Sequence, residues 1–338
     1  MPLGYFFYIT DTCNLDCDYC WQRAENSVPN VRPELSLDEW LKVTDSLPRF
    51  SYVGLTGGEV TTFKELNTLV KYIKQSHLLT INTNGLSLDY GHLSTFVSSS
   101  LNNLSISMDG FADGFDRARD CPGLFDKIVE NIHLLNQLKL ELNKKTPALT
   151  IKAVILDECV DELEKFYDFC TYELKADNLN LSFMKTTDHA QFDTRILNHM
   201  DQVFSKGRPR MYPYKNKEKI IKVLLRLLEK SETRSCAISL FPKMRTEGEL
   251  RNMIESEGVG IYKPCNIPWA MMVISPTGDV IPCLSLSMGN LRDNEFDIKK
   301  CFQGAKYQEF LNWLEEVNNT GKTSSACNMC CYLDVESN

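Results

Sequence analysis

The chain has 338 residues and a mass of 38.7 kDa, which allows one large domain together with a smaller one. Hydrophobic residues make up 43% of the chain and charged residues 24%, so a core can form and disorder as the main state is excluded. The formal net charge of −8 argues against bulk electrostatic binding to nucleic acid or to an anionic membrane.

Strand-like and helix-like segments alternate up to about residue 185. Short apolar, β-rich runs predict six strands, over residues 5–9, 52–55, 78–82, 104–108, 149–156 and 179–184. Helical patterns lie between them, over residues 36–47, 63–75, 90–99, 122–140 and 160–173. This alternation predicts an α/β fold with parallel strands, either a partial (β/α)6 barrel or an open doubly wound sheet. Active sites of such sheets lie at the carboxyl ends of the strands.

Two further regions follow the alternating part, which we take as a first domain over residues 1–185. Residues 186–264 break the rhythm and are predicted to form a helical insertion or linker. In residues 265–338 a hairpin pattern around Pro276–Gly278 and a helix over 304–317 precede a cysteine-rich end. This pattern predicts a small C-terminal domain.

The cysteine content is unusual for the compartment that the sequence suggests. No run approaches the ~20 apolar residues of a membrane-spanning helix, and the first residues show no charged segment or long apolar core of a secretory signal. We therefore expect a cytoplasmic protein without a membrane segment. Thirteen cysteines are many for a reducing compartment, where clustered cysteines more often bind metal or take part in chemistry.

The first cysteine group is the run CNLDCDYC, directly after the first predicted strand. Its thiols belong to Cys13, Cys17 and Cys20. Three thiolates on one short loop can bind three corners of a [4Fe–4S] cube and leave one iron open to a ligand. Zinc is the alternative metal, but no histidine lies nearby in the sequence as a fourth ligand.

This run, in this position, resembles the radical S-adenosylmethionine (SAM) superfamily, and the resemblance covers about residues 4–185. It implies that the open iron chelates the amino and carboxylate groups of SAM. After the second strand, Gly57, Gly58 and Glu59 resemble the GGE(P) motif, whose backbone and acidic side chain contact the methionyl amine; Val60 replaces the usual proline. Glycines let a backbone approach a ligand closely, and a carboxylate pairs with an ammonium group.

The ends of the third and fourth strands carry further matches to the superfamily. Asn84 lies in TINTNG, and Ser107 and Asp109 lie in SISMDG, with Arg119 downstream. The resemblance implies that these strand ends bind SAM, with Ser107 or Asp109 touching its ribose or carboxylate. It also implies that Tyr19, the residue before the third cysteine of the run, lies beside the adenine.

The second cysteine group has the spacing C-x17-C followed by C-x2-C, formed by Cys265, Cys283, Cys327 and Cys330. It resembles the twitch or SPASM domain of the superfamily, in which a hairpin and a short helix hold an auxiliary cluster. The resemblance implies one auxiliary [4Fe–4S] cluster with all four irons ligated by cysteine. A structural zinc site with four cysteines is the alternative.

Two other cysteines are candidates for catalytic hydrogen donors. Cys331 directly follows Cys330, and adjacent residues do not easily reach the same iron. Cys236 lies in the segment that interrupts the strand–helix rhythm. For both residues, packing as a small hydrophobic side chain is the alternative role. Basic residues over 208–222 form either a docking surface for an acidic leader peptide or a solvated face.

The resemblance implies a radical SAM oxidoreductase or maturase that cleaves SAM reductively and abstracts hydrogen from a substrate carbon. The electron would come from a flavodoxin or ferredoxin-type reductant. The first hypothesis is modification of a ribosomally made peptide by crosslinking, dehydrogenation or epimerisation. The second is a dehydrogenase or epimerase that acts on an aminocyclitol or sugar in natural-product biosynthesis. The third is a non-catalytic iron–sulfur protein, against which the intact GGE motif and all three loop cysteines argue.

Overall fold

One sheet organises the part of the chain that the computed structural model describes, which comprises residues 2–20, 32–184, 211–257, 262–283, 286–320, 330 and 334–335. Its strands are β1 Gly4–Tyr8, β2 Tyr52–Thr56, β3 Leu78–Thr83, β4 Asn103–Ser107, β5 Ala148–Ile155, β6 Asn178–Phe183, β7 Ala237–Phe241, β8 Met271–Ile274 and β9 Val280–Ile281. Their order is β7-β6-β5-β4-β3-β2-β1-β8-β9. All neighbours from β7 to β8 pair in parallel, and only β9 runs antiparallel to its neighbour.

The α-helices of the described residues connect and cover these strands. They are α1 Leu37–Ser46, α2 Leu66–Ile73, α3 Tyr90–Ser98, α4 Ala112–Ala118, α5 Leu124–Glu141, α6 Leu163–Tyr172, α7 Lys217–Ser231, α8 Glu247–Glu255, α9 Ile267–Ala270, α10 Ile298–Phe302 and α11 Ala305–Thr320. The first helix begins with the capping box that its sequence predicts. Ser36 accepts a hydrogen bond from the backbone N–H of Glu39, whose carboxylate accepts from the N–H of Ser36.

Alternation along the strands gives the sheet two different faces. Ile81, Ile106, Ile151 and Leu181 are fully buried and belong to one continuous apolar core. The residues between them on each strand are mostly polar and many are half-buried. Because successive side chains of a strand point to opposite faces, one face packs on the core and the other carries polar groups. The parallel pairing brings the carboxyl ends of β1 to β6 to one edge.

The six predicted strands and the mostly parallel α/β sheet are confirmed. The structure adds strand β7 in the segment predicted as a helical insertion, beside helices α7 and α8. The sequence of β7 is only five residues long, which is too short to tell a strand from a loop. Its pairing with β6 is what makes this segment a strand. The proposed boundaries at 185 and 264 therefore fall between strands of one sheet.

The hairpin predicted around Gly278 is present as β8 and β9, and β8 also pairs in parallel with β1. This pairing satisfies the backbone groups of an otherwise open edge of the sheet. It joins the C-terminal region directly to the strand that precedes the cysteine run. Within the described residues, no helix combines the length and the apolar character needed to cross a membrane.

Candidate active site

The cysteine loop, residues 9–20, leaves the carboxyl end of β1 and carries three thiols. Cys13 is exposed, Cys17 is buried and Cys20 is intermediate, and the N–H of Cys20 donates to the carbonyl of Cys17 at 3.1 Å. Burial raises the pKa of Cys13, to which the charges of Glu59 and Cys20 add, and burial raises the pKa of Cys17 to about 11, to which Cys20 and Cys13 add. Three thiolates this close need cationic partners, and the irons of a cluster supply them.

The donor set of the loop is three cysteine thiols, those of Cys13, Cys17 and Cys20, at the carboxyl end of β1. A [4Fe–4S] cube takes one thiolate on each of its irons, so three thiols leave one iron open to another ligand. The chemistry of this donor set fits the cluster that the sequence predicts.

The Gly57–Gly58–Glu59 turn packs directly on the cysteine loop. The N–H of Gly58 donates to the carbonyl of Thr10, and the N–H of Glu59 to that of Thr12, both at 2.8 Å. A Cβ atom on Gly58 would lie 2.3 Å from the carbonyl oxygen of Thr12. A Cβ atom on Gly57 would lie 2.4 Å from the carbonyl oxygen of Thr10, and the backbone of Gly57 has a φ of +140°, which favours glycine. These glycines are thus required by the contact between two loops. The sequence analysis had assigned them only to close approach of a ligand.

The carboxylate of Glu59 bridges the ends of β2 and β3. It is 1% exposed. Its Oε1 accepts from the backbone N–H and hydroxyl of Thr61 and from the hydroxyl of Thr83, at 3.0, 2.7 and 2.6 Å; its Oε2 accepts from the N–H of Asn84 at 2.7 Å. Oε1 accepts three of these bonds and Oε2 only one, so Oε2 is the oxygen with capacity for a further donor such as an ammonium group. Contact with the methionyl amine stays a prediction.

Asn84 faces the cysteine loop rather than open solvent. Its side-chain N–H groups donate to Asn14 Oδ1 at 2.8 Å and lie 4.0 Å from the sulfur of Cys13. Asn14 in turn donates to the hydroxyl of Ser87 at 2.8 Å. A weak N–H donor beside a ligating sulfur stabilises the thiolate. The amide of Asn84 thus supports the loop directly, and its predicted contact with SAM stays a prediction.

The end of β4 brings together three other predicted residues. Arg119 donates to Asp109 Oδ2 at 2.7 Å, and the hydroxyl of Tyr19 donates to the same oxygen. Both Asp109 and Arg119 are buried. Ser107, the last residue of β4, is half-buried on the polar face of the sheet. The structure therefore assembles all the predicted SAM-binding residues at one edge of the sheet.

A cavity of about 170 Å³ opens beside Tyr19, where β5 and β6 end. Its walls combine aromatic, apolar and acidic side chains, those of Asp18, Tyr19, Ala118, Leu156, Asp157, Glu158, Met184 and Tyr212. Ligand pockets combine apolar walls with a few polar groups. The ring of Tyr19 lines this cavity, and its contact with the adenine stays a prediction.

The sequence analysis missed Glu34, which holds the start of the cysteine loop. Its Oε1 accepts from the backbone N–H of Asp11 at 2.7 Å and from the hydroxyl of Thr10 at 3.2 Å. The backbone carbonyl of Glu34 also accepts from Arg292, beyond β9, at 3.1 Å. No pattern in the sequence marks this residue, because all its partners are distant in sequence or are backbone groups.

The second cysteine group is described only in part. Cys265, Cys283 and Cys330 are half-buried, whereas Cys327 lies outside the described residues. Asn318 of α11 fixes Cys265 through two bonds, accepting from its N–H at 2.8 Å and donating to its carbonyl at 2.9 Å. Burial raises the pKa of Cys265, so a metal partner would stabilise its thiolate.

The hypothesis that Cys236 donates hydrogen is not supported by its position. Cys236 is fully buried at the amino end of β7, the opposite edge from the cysteine loop, and its carbonyl accepts from the hydroxyl of Tyr167 at 2.7 Å. A hydrogen donor must reach the substrate at the carboxyl edge. This position favours the alternative role, in which Cys236 packs as a small hydrophobic side chain in the core. Cys331, the other candidate, lies outside the described residues.

Ion pairs occupy part of the basic stretch. Lys217 pairs with Glu257 at 3.4 Å, and Lys219 pairs with Asp161. Arg208 lies outside the described residues. Pairing within the chain favours the solvated face over a dedicated surface for an acidic leader.

Comparisons with known protein families agree with this geometry. Residues 7–170 match the model of the Radical SAM superfamily, and residues 265–331 match that of SPASM, an iron–sulfur cluster-binding domain. The chain belongs to the radical SAM superfamily and carries a SPASM domain. Its cofactors are accordingly SAM, a [4Fe–4S] cluster in the first domain and auxiliary iron–sulfur in the second.

The curated relatives are similar over part of their length only. Fe-coproporphyrin III synthase of Methanosarcina barkeri is 27% identical over 175 residues, which are 49% of this chain and 42% of the relative. GTP 3',8-cyclase of Clostridium perfringens is 28% identical over 144 residues, which are 40% of this chain and 44% of the relative. The chain thus matches less than half the length of each relative.

Solved structures share the fold over a larger part. SuiB of Streptococcus suis has a TM-score of 0.59 at 17% identity, covering 84% of this chain and 60% of SuiB. The enzyme anSMEcpe with bound AdoMet and Cp18Cys peptide has a TM-score of 0.61 at 18% identity, covering 97% of this chain and 88% of that enzyme. At these identities the likeness establishes the fold alone.

Proposed function

We propose that this chain uses radical SAM chemistry to modify a ribosomally made peptide, by crosslinking, dehydrogenation or epimerisation. One observation carries the choice of a peptide. The fold matches 97% of this chain to a structure with a bound peptide, at a TM-score of 0.61. A structure of SuiB with its precursor peptide SuiA adds to this support, with 84% of this chain covered.

When bound, the cluster and SAM would supply the one-electron chemistry that removes hydrogen from a substrate carbon. The residues of the chain hold and orient these groups. Cys13, Cys17 and Cys20 would ligate three irons, and Glu59 would accept a hydrogen bond from the methionyl amine through Oε2. The ring of Tyr19 would cover the adenine in the cavity at the ends of β5 and β6, which keeps water from the reacting carbon.

A polar small molecule, such as an aminocyclitol or sugar, is the second candidate substrate. The polar face of the sheet favours it. Ser107, Lys152 and Asn180 lie side by side on β4, β5 and β6, all half-buried, and Lys152 donates to Asn82 Oδ1 at 2.8 Å. A ladder of amide, hydroxyl and amino groups can exchange hydrogen bonds with hydroxyls of a substrate.

For the second domain we propose one auxiliary [4Fe–4S] cluster, ligated by Cys265, Cys283, Cys327 and Cys330. Four thiolates complete a cube without an open iron. The electron for SAM cleavage would come from an external flavodoxin or ferredoxin-type reductant, as the resemblance implies. The auxiliary cluster would relay charge, bind substrate or take up an electron from it.

The test uses anaerobically reconstituted full-length protein with SAM and dithionite. We expect 5′-deoxyadenosine by chromatography, and none from the Cys13/Cys17/Cys20→Ala variant. Candidate precursor peptides and aminocyclitols are then compared by mass spectrometry, in D2O so that epimerisation is seen as deuterium uptake. Turnover of a peptide supports the proposal. Turnover of aminocyclitols alone would replace it with the second candidate, and equal 5′-deoxyadenosine from the variant would refute the radical chemistry.

A further inference from the structure

A buried polar cluster connects the cysteine loop to the end of β4. The carboxylate of Asp109 accepts from Arg119 at 2.7 Å (Nη2) and 3.2 Å (Nε) and from the hydroxyl of Tyr19, all on Oδ2. Its Oδ1 accepts from the backbone N–H of Val154 on β5 at 2.8 Å. Asp109 is 2% and Arg119 6% exposed. Both carboxylate oxygens are therefore engaged within the protein, where SAM had been expected.

Several further contacts fix the geometry of this buried polar cluster. The guanidinium of Arg119 lies over the ring of Tyr19 at 5.7 Å and over that of Phe115 at 4.9 Å, measured to the ring centroids. Removing one partner of a buried ion pair leaves the other charge without compensation. A cation also gains from a position over an aromatic face. Tyr19 is thus held through both its hydroxyl and its ring.

The buried polar cluster of Asp109, Arg119 and Tyr19 lies against the part of the cysteine loop that carries two of the thiols. Tyr19 stands between Cys17 and Cys20, and the N–H of the preceding Asp18 donates to the carbonyl of Ala118 at 3.2 Å. Ala118 directly precedes Arg119, and the guanidinium of Arg119 lies 5.7 Å from the centroid of the Tyr19 ring. These contacts place a fixed cation beside the part of the loop that carries Cys17 and Cys20.

We propose that Asp109 is a positioning residue: through Tyr19 and Arg119 it holds the cysteine loop in its ligating shape and keeps one positive charge beside the thiolates. A loop shaped before the iron arrives loses less conformational entropy on cluster binding. A cation near a cluster also stabilises its reduced form, because reduction adds negative charge. This inference goes beyond the choice of substrate and does not depend on it.

The first test measures the loop in metal-free, full-length protein. Iodoacetamide alkylation of each cysteine is followed by peptide mass spectrometry in the Tyr19→Phe variant. A hydrogen bond to a charged group is lost, so Cys17 and Cys20 should react about tenfold faster or more. Cys170 and Cys236, which are fully buried in the core, report on global unfolding and should stay protected.

Tyr72→Phe is the matched control, because its hydroxyl also donates to a carboxylate, that of Asp45 at 2.7 Å, away from the cysteine loop. It should leave the reactivity of Cys17 and Cys20 unchanged. Unaltered reactivity in Tyr19→Phe would overturn the proposal. So would a rise at Cys17 that Cys170 follows in parallel, since the effect would then be general destabilisation.

The second test measures the charge of Arg119 in reconstituted protein. The midpoint potential of the cluster of the first domain is determined by titration with detection by electron paramagnetic resonance, in the Cys283→Ala background to remove the auxiliary signal. Arg119→Gln should shift the potential to lower values, whereas Arg119→Lys should retain it because the charge is kept. An unchanged potential in Arg119→Gln would refute the electrostatic part of the proposal.

Discussion

The two cysteine groups of this protein are built in different ways. The first places three thiols within one loop, and side chains from the ends of β2, β3 and β4 hold that loop. The second spreads its cysteines from Cys265, before α9, and Cys283, after β9, to the C-terminal end of the chain. In its described part, Asn318 of α11 fixes the backbone of Cys265. The first site follows from local spacing plus parallel strands, whereas the second depends on long-range pairing.

This difference predicts that the two groups respond separately to substitution. Damage to the loop should abolish the common chemistry of the superfamily, whereas damage to the second group should alter the use made of the radical. The following substitutions test that separation, from the largest expected effect to the smallest.

Replacing Cys13, Cys17 and Cys20 together by Ala should abolish formation of 5′-deoxyadenosine. Iron content should fall from about eight to about four per chain, since each cube holds four. The measurements are chromatography and iron analysis of anaerobic protein. Retention of all the iron, or stoichiometric zinc in place of the remaining iron, would contradict the two-cluster assignment.

Gly58→Ala should separate the two loops that meet at the carboxyl edge. The new Cβ would lie 2.3 Å from the carbonyl oxygen of Thr12, and backbone cannot yield as a flexible side chain can. We expect a loss of about 1–3 kcal/mol in the free energy of unfolding together with poor cluster incorporation, measured by thermal melting and iron content. Gly304→Ala is the matched control, because a Cβ there meets nothing within 4 Å. Equal stability of the two variants would contradict the packing argument.

Cys283→Ala should remove the auxiliary cluster and leave SAM cleavage partly intact. Its position outside the first-domain motifs is the reason. Substrate turnover should therefore fall much further than 5′-deoxyadenosine formation, which is read from product ratios. Native turnover in this variant would show that the auxiliary cluster has no catalytic role.

Glu59→Gln should weaken SAM binding about ten- to a hundred-fold, since an amide replaces a carboxylate that faces an ammonium group. The amide nitrogen would also face a donor, either Thr61 or the N–H of Asn84, so the melting temperature should fall as well. Calorimetric titration with SAM, corrected for the folded fraction, separates the two effects. Exposed Glu65→Gln serves as control; normal SAM binding by Glu59→Gln would refute the proposed contact.

The smallest effect concerns the contact between the C-terminal region and α1. Hydrogen bonding to Arg292, at 2.6 and 2.8 Å, lowers the pKa of Glu39 to about 2 from 4.5. A carboxyl group with a lowered folded-state pKa stabilises the fold above its unfolded pKa, and this contribution is lost as pH falls from about 4.5 to 2. The two side chains are half-buried and still in contact with screening solvent, so the contribution should be about 0.2–1 kcal/mol.

The measurement for this pair is denaturant unfolding at neutral pH and near pH 3, a value inside that window. Glu39→Gln should unfold more easily than the native chain at neutral pH, and the difference should shrink in acid. A difference that is independent of pH would contradict the assignment.

Much of the first site could be predicted from the sequence because its parts are local. Each motif follows a short apolar run, and parallel strands bring such positions to one edge whatever the details of packing. Cys13, Gly58, Asn84 and Ser107 were found in this way. Their contacts with each other could not be predicted. Gly58, for example, packs against the backbone of the cysteine loop, whereas its motif indicated only a contact with a ligand.

The parts that could not be predicted involve partners far apart in the chain. Glu34 holds the start of the cysteine loop, and Cys236 lies in the core at the amino end of β7. Neither role leaves a periodic or spaced pattern, because a hydrogen bond between distant residues needs only one suitable side chain on each side. The same holds for strand β7, whose five residues become a strand only beside β6.

The sequence by itself determined the α/β class, the six central strands and the chemistry of the superfamily, because periodicity and short cysteine spacing express local constraints. Tertiary structure alone decided that β8 joins the C-terminal hairpin to β1 and that Asp109 is enclosed by Tyr19 and Arg119. These outcomes depend on burial, because a buried charge is stable only beside groups that compensate it, and tertiary packing determines which side chains are its neighbours. Local sequence does not encode that neighbourhood.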